Sequence, residues 1–247
     1  MATNPRTELK TRKDLTKLID ELGLKKGVEI GVNEGAFSEW LLANSKLDVL
    51  HSIDAWTTDT SRTMSAFKKW ATQHGEVEKA EAKARETLSK FGARSNVVKS
   101  ISWDAASAFG DGSLDFVYFD GCHRFTGFCL DMFAWYPKVR MGGVIAGDDY
   151  WRVYRYEVME VVNSFLFEHK LVLHLTTEDL NRKGDPYCAP SWWAVKEELT
   201  KKELFDAIPV ALGRLKKDKV RLAEKGVGVV LPYQYFDVQG NQDEQDE

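Results

Sequence analysis

Val28-Glu29-Ile30-Gly31-Val32-Asn33-Glu34-Gly35 decides the fold. Its first half sets the β-branched Val28 and Ile30 on either side of Glu29, and reads as a buried strand. Gly31 and Gly35 then bracket a tight turn, and Ala36 to Ala43 returns to helical spacing. A second apolar strand, Val49 to Ile53, ends on an acid, Asp54. The distance from Gly31 to Asp54 suits one β-α-β unit. Ligands of open α/β sheets sit beyond the carboxyl ends of the strands, so Glu29, Gly31, Gly35 and Asp54 are the first candidates for a binding rim.

The same alternation continues outward. Upstream, Leu15, Leu18, Ile19 and Leu22 recur at helical spacing within residues 12–22 and stop at Gly23. That amphipathic helix serves either as a lid or as a dimerisation element. Downstream, residues 63–91 read as a long helix, Asn96 to Ser100 as a third strand and Leu114 to Phe119 as a fourth. Gly127 to Tyr136 is a helix stopped by Pro137, and Gly143 to Ala146 starts a fifth strand that ends at Asp148-Asp149. Val158 to Phe167 is a further helix. Leu171 to Leu175 and Ser191 to Val195 are two last strands joined by a polar loop. Alternating strands and helices followed by two adjacent strands predict a Rossmann-like α/β fold, a seven-stranded, mostly parallel sheet with one antiparallel strand. The chain divides into an N-terminal helix (1–24), the α/β domain (25–197), an extension (198–239) with two charged helices and a strand at Val227 to Leu231, and a disordered acidic tail (240–247).

Composition narrows the function classes. The 247 residues are 43% hydrophobic and carry a net charge of −4, with Asp243, Glu244, Asp246 and Glu247 supplying that excess in the tail. A near-neutral body lacks the clustered Lys and Arg of a nucleic-acid footprint, and the run from Lys216 to Arg221 reads as a solvated helix face. Cys122, Cys129 and Cys188 form neither a disulfide framework nor a zinc spacing. With no apolar run long enough for a membrane span and no apolar signal core at the start, a soluble, cytoplasmic chain is expected.

The turn after the first strand lacks the third glycine of a G-x-G-x-x-G fingerprint, which a dinucleotide's pyrophosphate would use. S-adenosylmethionine has no phosphate and does not need it, while Asp54 can accept both hydroxyls of its ribose. The glycines also fit an ordinary tight turn. Asp120-Gly121-Cys122-His123 and Gly147-Asp148-Asp149 close the fourth and fifth strands and meet on one rim. Three carboxylates there repel unless a cation lies between them, and Mg²⁺ suits such oxygen ligands and two adjacent substrate hydroxyls. His123, with an ordinary pKa of about 6.5, can remove a hydroxyl proton at neutral pH. Each acid could instead cap a following helix.

These residues resemble class I S-adenosylmethionine-dependent methyltransferases. Glu29-Ile30-Gly31 with Gly35 resembles their first motif and His51-Ser52-Ile53-Asp54 their second, with Asp54 on the ribose. Lys99 to Asp104, Ser102 included, falls where members contact adenine, though this stretch matches least well. Over residues 25–155 the chain is similar to the D-G-x-H group, and within it to the metal-dependent sugar O-methyltransferases of the macrocin and mycinamicin type. That resemblance implies Asp120, Asp148 and Asp149 as metal ligands, Asp120 also on the cofactor side, and His123 as the catalytic base. Phe125 departs from the broader group's Tyr, and Asp148 replaces its His, as in the metal-using subset. The implied partners are S-adenosylmethionine, a divalent ion and a small-molecule or glycan hydroxyl, with no nucleic acid, no membrane, and self-association left open. Three rivals stand: a metal-free methyltransferase, a nicotinamide-dependent oxidoreductase, and a non-catalytic binding module. Trp56, Tyr150 and Trp151 either line a sugar pocket or pack the rim.

Overall fold

The computed structural model describes residues 8–57, 76–150, 157–177 and 189–197. The first part of the expected 63–91 helix, Trp151, Cys188 and the whole of 198–247 lie outside them. Elements are numbered over the described residues. The strands are β1 (Lys26–Ile30), β2 (Val49–Asp54), β3 (Ser95–Lys99), β4 (Leu114–Phe119), β5 (Val139–Gly147), β6 (His174–Leu175) and β7 (Trp192–Val195). The helices are α1 (Leu15–Glu21), α2 (Ala36–Asn44), α3 (Glu76–Ser89), α4 (Ser102–Ala105), α5 (Phe125–Trp135) and α6 (Val158–Glu168).

The seven strands form one sheet in the order β3-β2-β1-β4-β5-β7-β6. The pairs from β3 to β5 are parallel, and β7 runs antiparallel to both β5 and β6. This is the Rossmann-like α/β architecture the alternation predicts. The chain winds outward from β1 to β3, then returns to start β4 on the other side of β1. The reversal opens a crevice at the carboxyl ends of β1 and β4, where a ligand fits.

Side chains alternate across the strands and build a core on each face. Val28, Ile30, Val117, Phe119 and Ile145 face α5 and α6, against Phe128, Met132, Trp135, Val162 and Leu166. Leu50, Phe116, Tyr118 and Val144 face α1, α2 and α3, against Leu18, Leu41 and Ala84. Leu9, Leu15, Leu18, Ile19 and Leu24 of the N-terminal segment are buried in this second core. The segment ahead of β1 is therefore packed into the sheet's own interior.

Several boundaries differ from the sequence reading. β5 starts four residues earlier than expected, because the chain passes through Gly142-Gly143 as a bulge opposite β4 and does not break there. β6 shrinks to His174–Leu175, the length that pairs with the edge of β7. The short α4 was not anticipated. Among the described residues no helix is long and apolar enough to cross a membrane.

Candidate active site at the carboxyl ends of the strands

The first half of the crevice is built by the loops after β1 and β2. Gly31 has φ +88, and a Cβ there would lie 2.0 Å from the Asp120 carbonyl oxygen. Gly35, at φ +86, starts α2 against the Ala84 backbone of α3. Both glycines thus have a packing reason beyond the expected approach to a ligand: they let the β1 loop seat against β4 and α3. Asp54 closes the opposite wall. Its Oδ2 accepts the Asn33 N–H at 3.0 Å and its Oδ1 the Trp56 N–H at 2.9 Å. Trp56 Nε1 donates back to the Asn33 carbonyl at 3.0 Å. Asn33 and Trp56 both sit at positive φ (49° and 32°), strain typical of loops held for a function. A carboxylate has about four lone-pair directions, so two remain on Asp54 for a diol.

Glu29 and Ser102 have interior partners. Glu29 is 1% exposed and points from β1 towards α2, where Ser38 Oγ donates to its carboxyl and shares a 2.6 Å bond with Ser52 Oγ. Burial pushes its pKa up to about 8, against the Ser38 bond and helped by the field of Asp120. Ser102 Oγ accepts Trp135 Nε1 at 2.8 Å. Burial raises the pKa of Asp131, an acid of α5, to about 7, against a pull from Ser102. Trp56 and Tyr150 are each 4% exposed, and Tyr150 donates to Asn163 at 2.8 Å, so both pack the rim from within.

The second half of the crevice gathers the acids. Asp120 follows β4, while Asp148 and Asp149 follow β5, and the β4–β5 register aligns Phe119 with Gly147. His123 Nε2 lies 3.2 Å from Asp149 Oδ2 and 3.7 Å from Asp120 Oδ1. Asp149 reaches it from a left-handed backbone, φ 51°. The His123 loop is fastened to the start of α6: the Glu157 N–H donates to the His123 carbonyl at 2.8 Å, and the Glu157 carboxylate accepts the Phe125 N–H. Burial alone would lower the His123 pKa, but the nearby carboxylates of Asp120, Asp149 and Asp148 raise it. Asp120, though 24% of its side chain meets solvent, is pushed up to about 6 by desolvation, against the pull of His123 and with repulsion from Asp148.

Asp148 is turned elsewhere. Its Oδ1 accepts Ser191 Oγ at 2.9 Å, and its Oδ2 accepts Arg12 Nη1 at 2.7 Å. The same Arg12 nitrogen lies 3.1 Å from Asp120 Oδ2. The structure therefore brings Asp120, His123 and Asp149 together with ligand atoms within 4.8 Å, and places Asp148 against an arginine. Arg12, Asn33, Glu157 and Ser191 escaped the sequence reading. Arg12 stands 108 and 136 residues from its two partners, and no local pattern pairs it with them. The nearest signal was Thr11 to Asp14, whose spacing marks a helix start beside it.

Residues 28–150 match the family described as a methyltransferase domain. No curated protein matches the chain. Among solved structures, an O-methyltransferase from Bacillus cereus in complex with SAH (S-adenosylhomocysteine) is 17% identical, with 74% of this chain and 80% of that one covered, at a TM-score of 0.52. A candidate caffeoyl-CoA O-methyltransferase from Staphylococcus aureus is 12% identical, covering 74% and 82%, at 0.51. A spermidine synthase in complex with the transition-state analogue AdoDATO is 13% identical, covering 78% and 64%, at 0.51. At such identities the likeness establishes the fold, and the different reactions of these neighbours leave the chemistry to the site.

Proposed function

We propose that the chain, whose residues 28–150 match a methyltransferase domain, transfers a methyl group from S-adenosylmethionine to a hydroxyl group, with His123 as the base. The observation that carries this reading is the position of His123 Nε2, 3.2 Å from Asp149 Oδ2, on the same rim as Asp54. S-adenosylmethionine supplies a methyl carbon already activated by its sulfonium. The chain's tasks are to hold both substrates in line, exclude water and receive one proton. Asp54 accepts the ribose hydroxyls through the lone pairs that Asn33 and Trp56 leave over. His123 takes the acceptor's hydroxyl proton, and Asp149 and Asp120 stabilise the imidazolium that results.

A divalent ion fits this rim. Asp120, His123 and Asp149 each offer one ligand atom within 4.8 Å of the others. Mg²⁺ prefers an all-oxygen set, which Asp120, Asp148 and Asp149 would supply if Arg12 left. Bound there, the ion would favour ionisation of one of two adjacent hydroxyls. A vicinal diol on a sugar is therefore the acceptor we propose, a choice that rests on the resemblance to the macrolide-sugar enzymes. A metal-free reaction is the second reading, and one observation favours it: Arg12 already neutralises Asp120 and Asp148.

Titrating the protein with S-adenosylhomocysteine tests the premise, with binding expected in the unmodified chain and lost in Asp54→Ala. Methyl transfer to a panel of sugar diols, with Mg²⁺ and with EDTA, then separates the two readings. His123→Ala is expected to keep cofactor binding and lose transfer by a hundredfold or more. Unchanged turnover in that variant removes His123 from the chemistry.

A further inference from the structure

Arg12 occupies the place of a cation. One guanidinium nitrogen lies 3.1 Å from Asp120 Oδ2 and 2.7 Å from Asp148 Oδ2, and the other Asp148 oxygen is held by Ser191. A hard divalent ion binds carboxylate oxygens at about 2.0–2.6 Å, so it cannot use this pair while the guanidinium spans it.

Arg12 is held there by its neighbours on both sides. Before it, Leu9 is 2% exposed and its carbonyl accepts the Thr177 N–H at 3.1 Å. After it, the Lys13 carbonyl accepts Trp40 Nε1 at 3.1 Å, and Leu15 is 1% exposed. Asp14 ties the backbone together by accepting the N–H groups of Lys10 and Thr11. The guanidinium itself lies 5.0 Å from the centre of the Phe37 ring. Such a planar, permanently charged group suits a bridge between two carboxylates.

We propose that Arg12 is a tethered cation that competes with a divalent ion for the Asp120–Asp148 pair, so that the docked N-terminal segment decides which ligand set a metal can use. With Arg12 docked, the set left is Asp120 Oδ1, His123 Nε2 and Asp149 Oδ2. Its nitrogen donor suits Mg²⁺ less well than an all-oxygen set does. With Arg12 withdrawn, Asp148 Oδ2 and Asp120 Oδ2 are released and an all-oxygen set suited to Mg²⁺ forms. The proposal rests on the methyltransferase reading only for its consequence in turnover, and cation binding is measured without turnover.

The test is calorimetric titration of the full chain with Mg²⁺, in the unmodified protein and in Arg12→Met. Mg²⁺ is expected to bind Arg12→Met at least tenfold more tightly, and adding Asp148→Asn is expected to abolish that gain. Equal Mg²⁺ affinity with and without Arg12, or a gain that survives Asp148→Asn, overturns the proposal. If Arg12→Met does not fold, Arg12→Gln serves, since its amide carries no charge. There the expected gain is severalfold, and no gain overturns the proposal equally. S-adenosylhomocysteine binding is followed in the same samples. Its absence in the unmodified chain strikes the methyltransferase reading, whereas unchanged Mg²⁺ affinity strikes the cation proposal alone.

Discussion

Replacing Glu29 by glutamine is expected to stabilise the protein increasingly as pH rises. The Glu29 carboxyl is 1% exposed, and burial carries its pKa from 4.5 to about 8. Between those values the native chain keeps a proton that the unfolded chain has released. Stability therefore falls as pH rises through the window, by about 1.4 kcal/mol per pH unit. The group does no harm below its unfolded pKa, and its full penalty is reached above its native pKa. From about pH 5 to about pH 8 the loss comes to roughly 3–4 kcal/mol. Glutamine has the same shape, still accepts from Ser38 Oγ, and does not titrate. Urea unfolding of both proteins across this range, at constant salt, gives the difference in stability at each pH, and other titrating groups such as Asp131 cancel in it. The difference is expected to grow by roughly 3–4 kcal/mol from the acid to the alkaline end. A difference that stays constant to within about 0.5 kcal/mol would refute the reasoning, because it would mean that Glu29 is ionised in the native chain at every pH tested.

Three further outcomes follow from the packing. Gly31→Ala sets a Cβ 2.0 Å from the Asp120 carbonyl at φ +88, and a loss of about 3 kcal/mol or more is expected in thermal unfolding, while a near-normal Tm would show that the β1 and β4 loops can separate freely. Trp135→Phe removes the 2.8 Å bond to Ser102 and is expected to destabilise by about 1–2 kcal/mol, with Ser102→Ala adding little in that background. Strict additivity of the two would show that the bond contributes nothing. Asp54→Asn keeps the size of the side chain but turns one acceptor into a donor facing either the Asn33 or the Trp56 N–H. Affinity for S-adenosylhomocysteine is expected to fall about tenfold or more by calorimetry, and an unchanged affinity removes Asp54 from the ribose.

The strands and most helices were legible in the sequence because their causes are local. Leu114 to Phe119 is apolar at every position but Asp115 and is buried on both faces of the sheet, so it announces itself as a central strand. Asp54, Asp120, Asp148 and Asp149 were readable as rim residues because each lies at the carboxyl end of a strand. β5 was read short, since Gly142-Gly143 looks like a break when the neighbour that accommodates the bulge is unknown. Ser102 and Glu29 were legible as members of a motif, but their bonds to Trp135 and Ser38 depend on how helices lie on the sheet.

The sequence by itself determined the order of strands and helices, the parallel sheet with its late antiparallel strand, and the rim on which the acids and His123 sit. Those follow from apolar periodicity and from which residues end each strand. Only the tertiary structure decided how the acids divide: Asp149 with His123, Asp148 with Arg12 and Ser191, and Asp120 between them. The reason is physical. A charge takes the partner that folding brings within about 4 Å, and that distance bears no relation to separation along the chain.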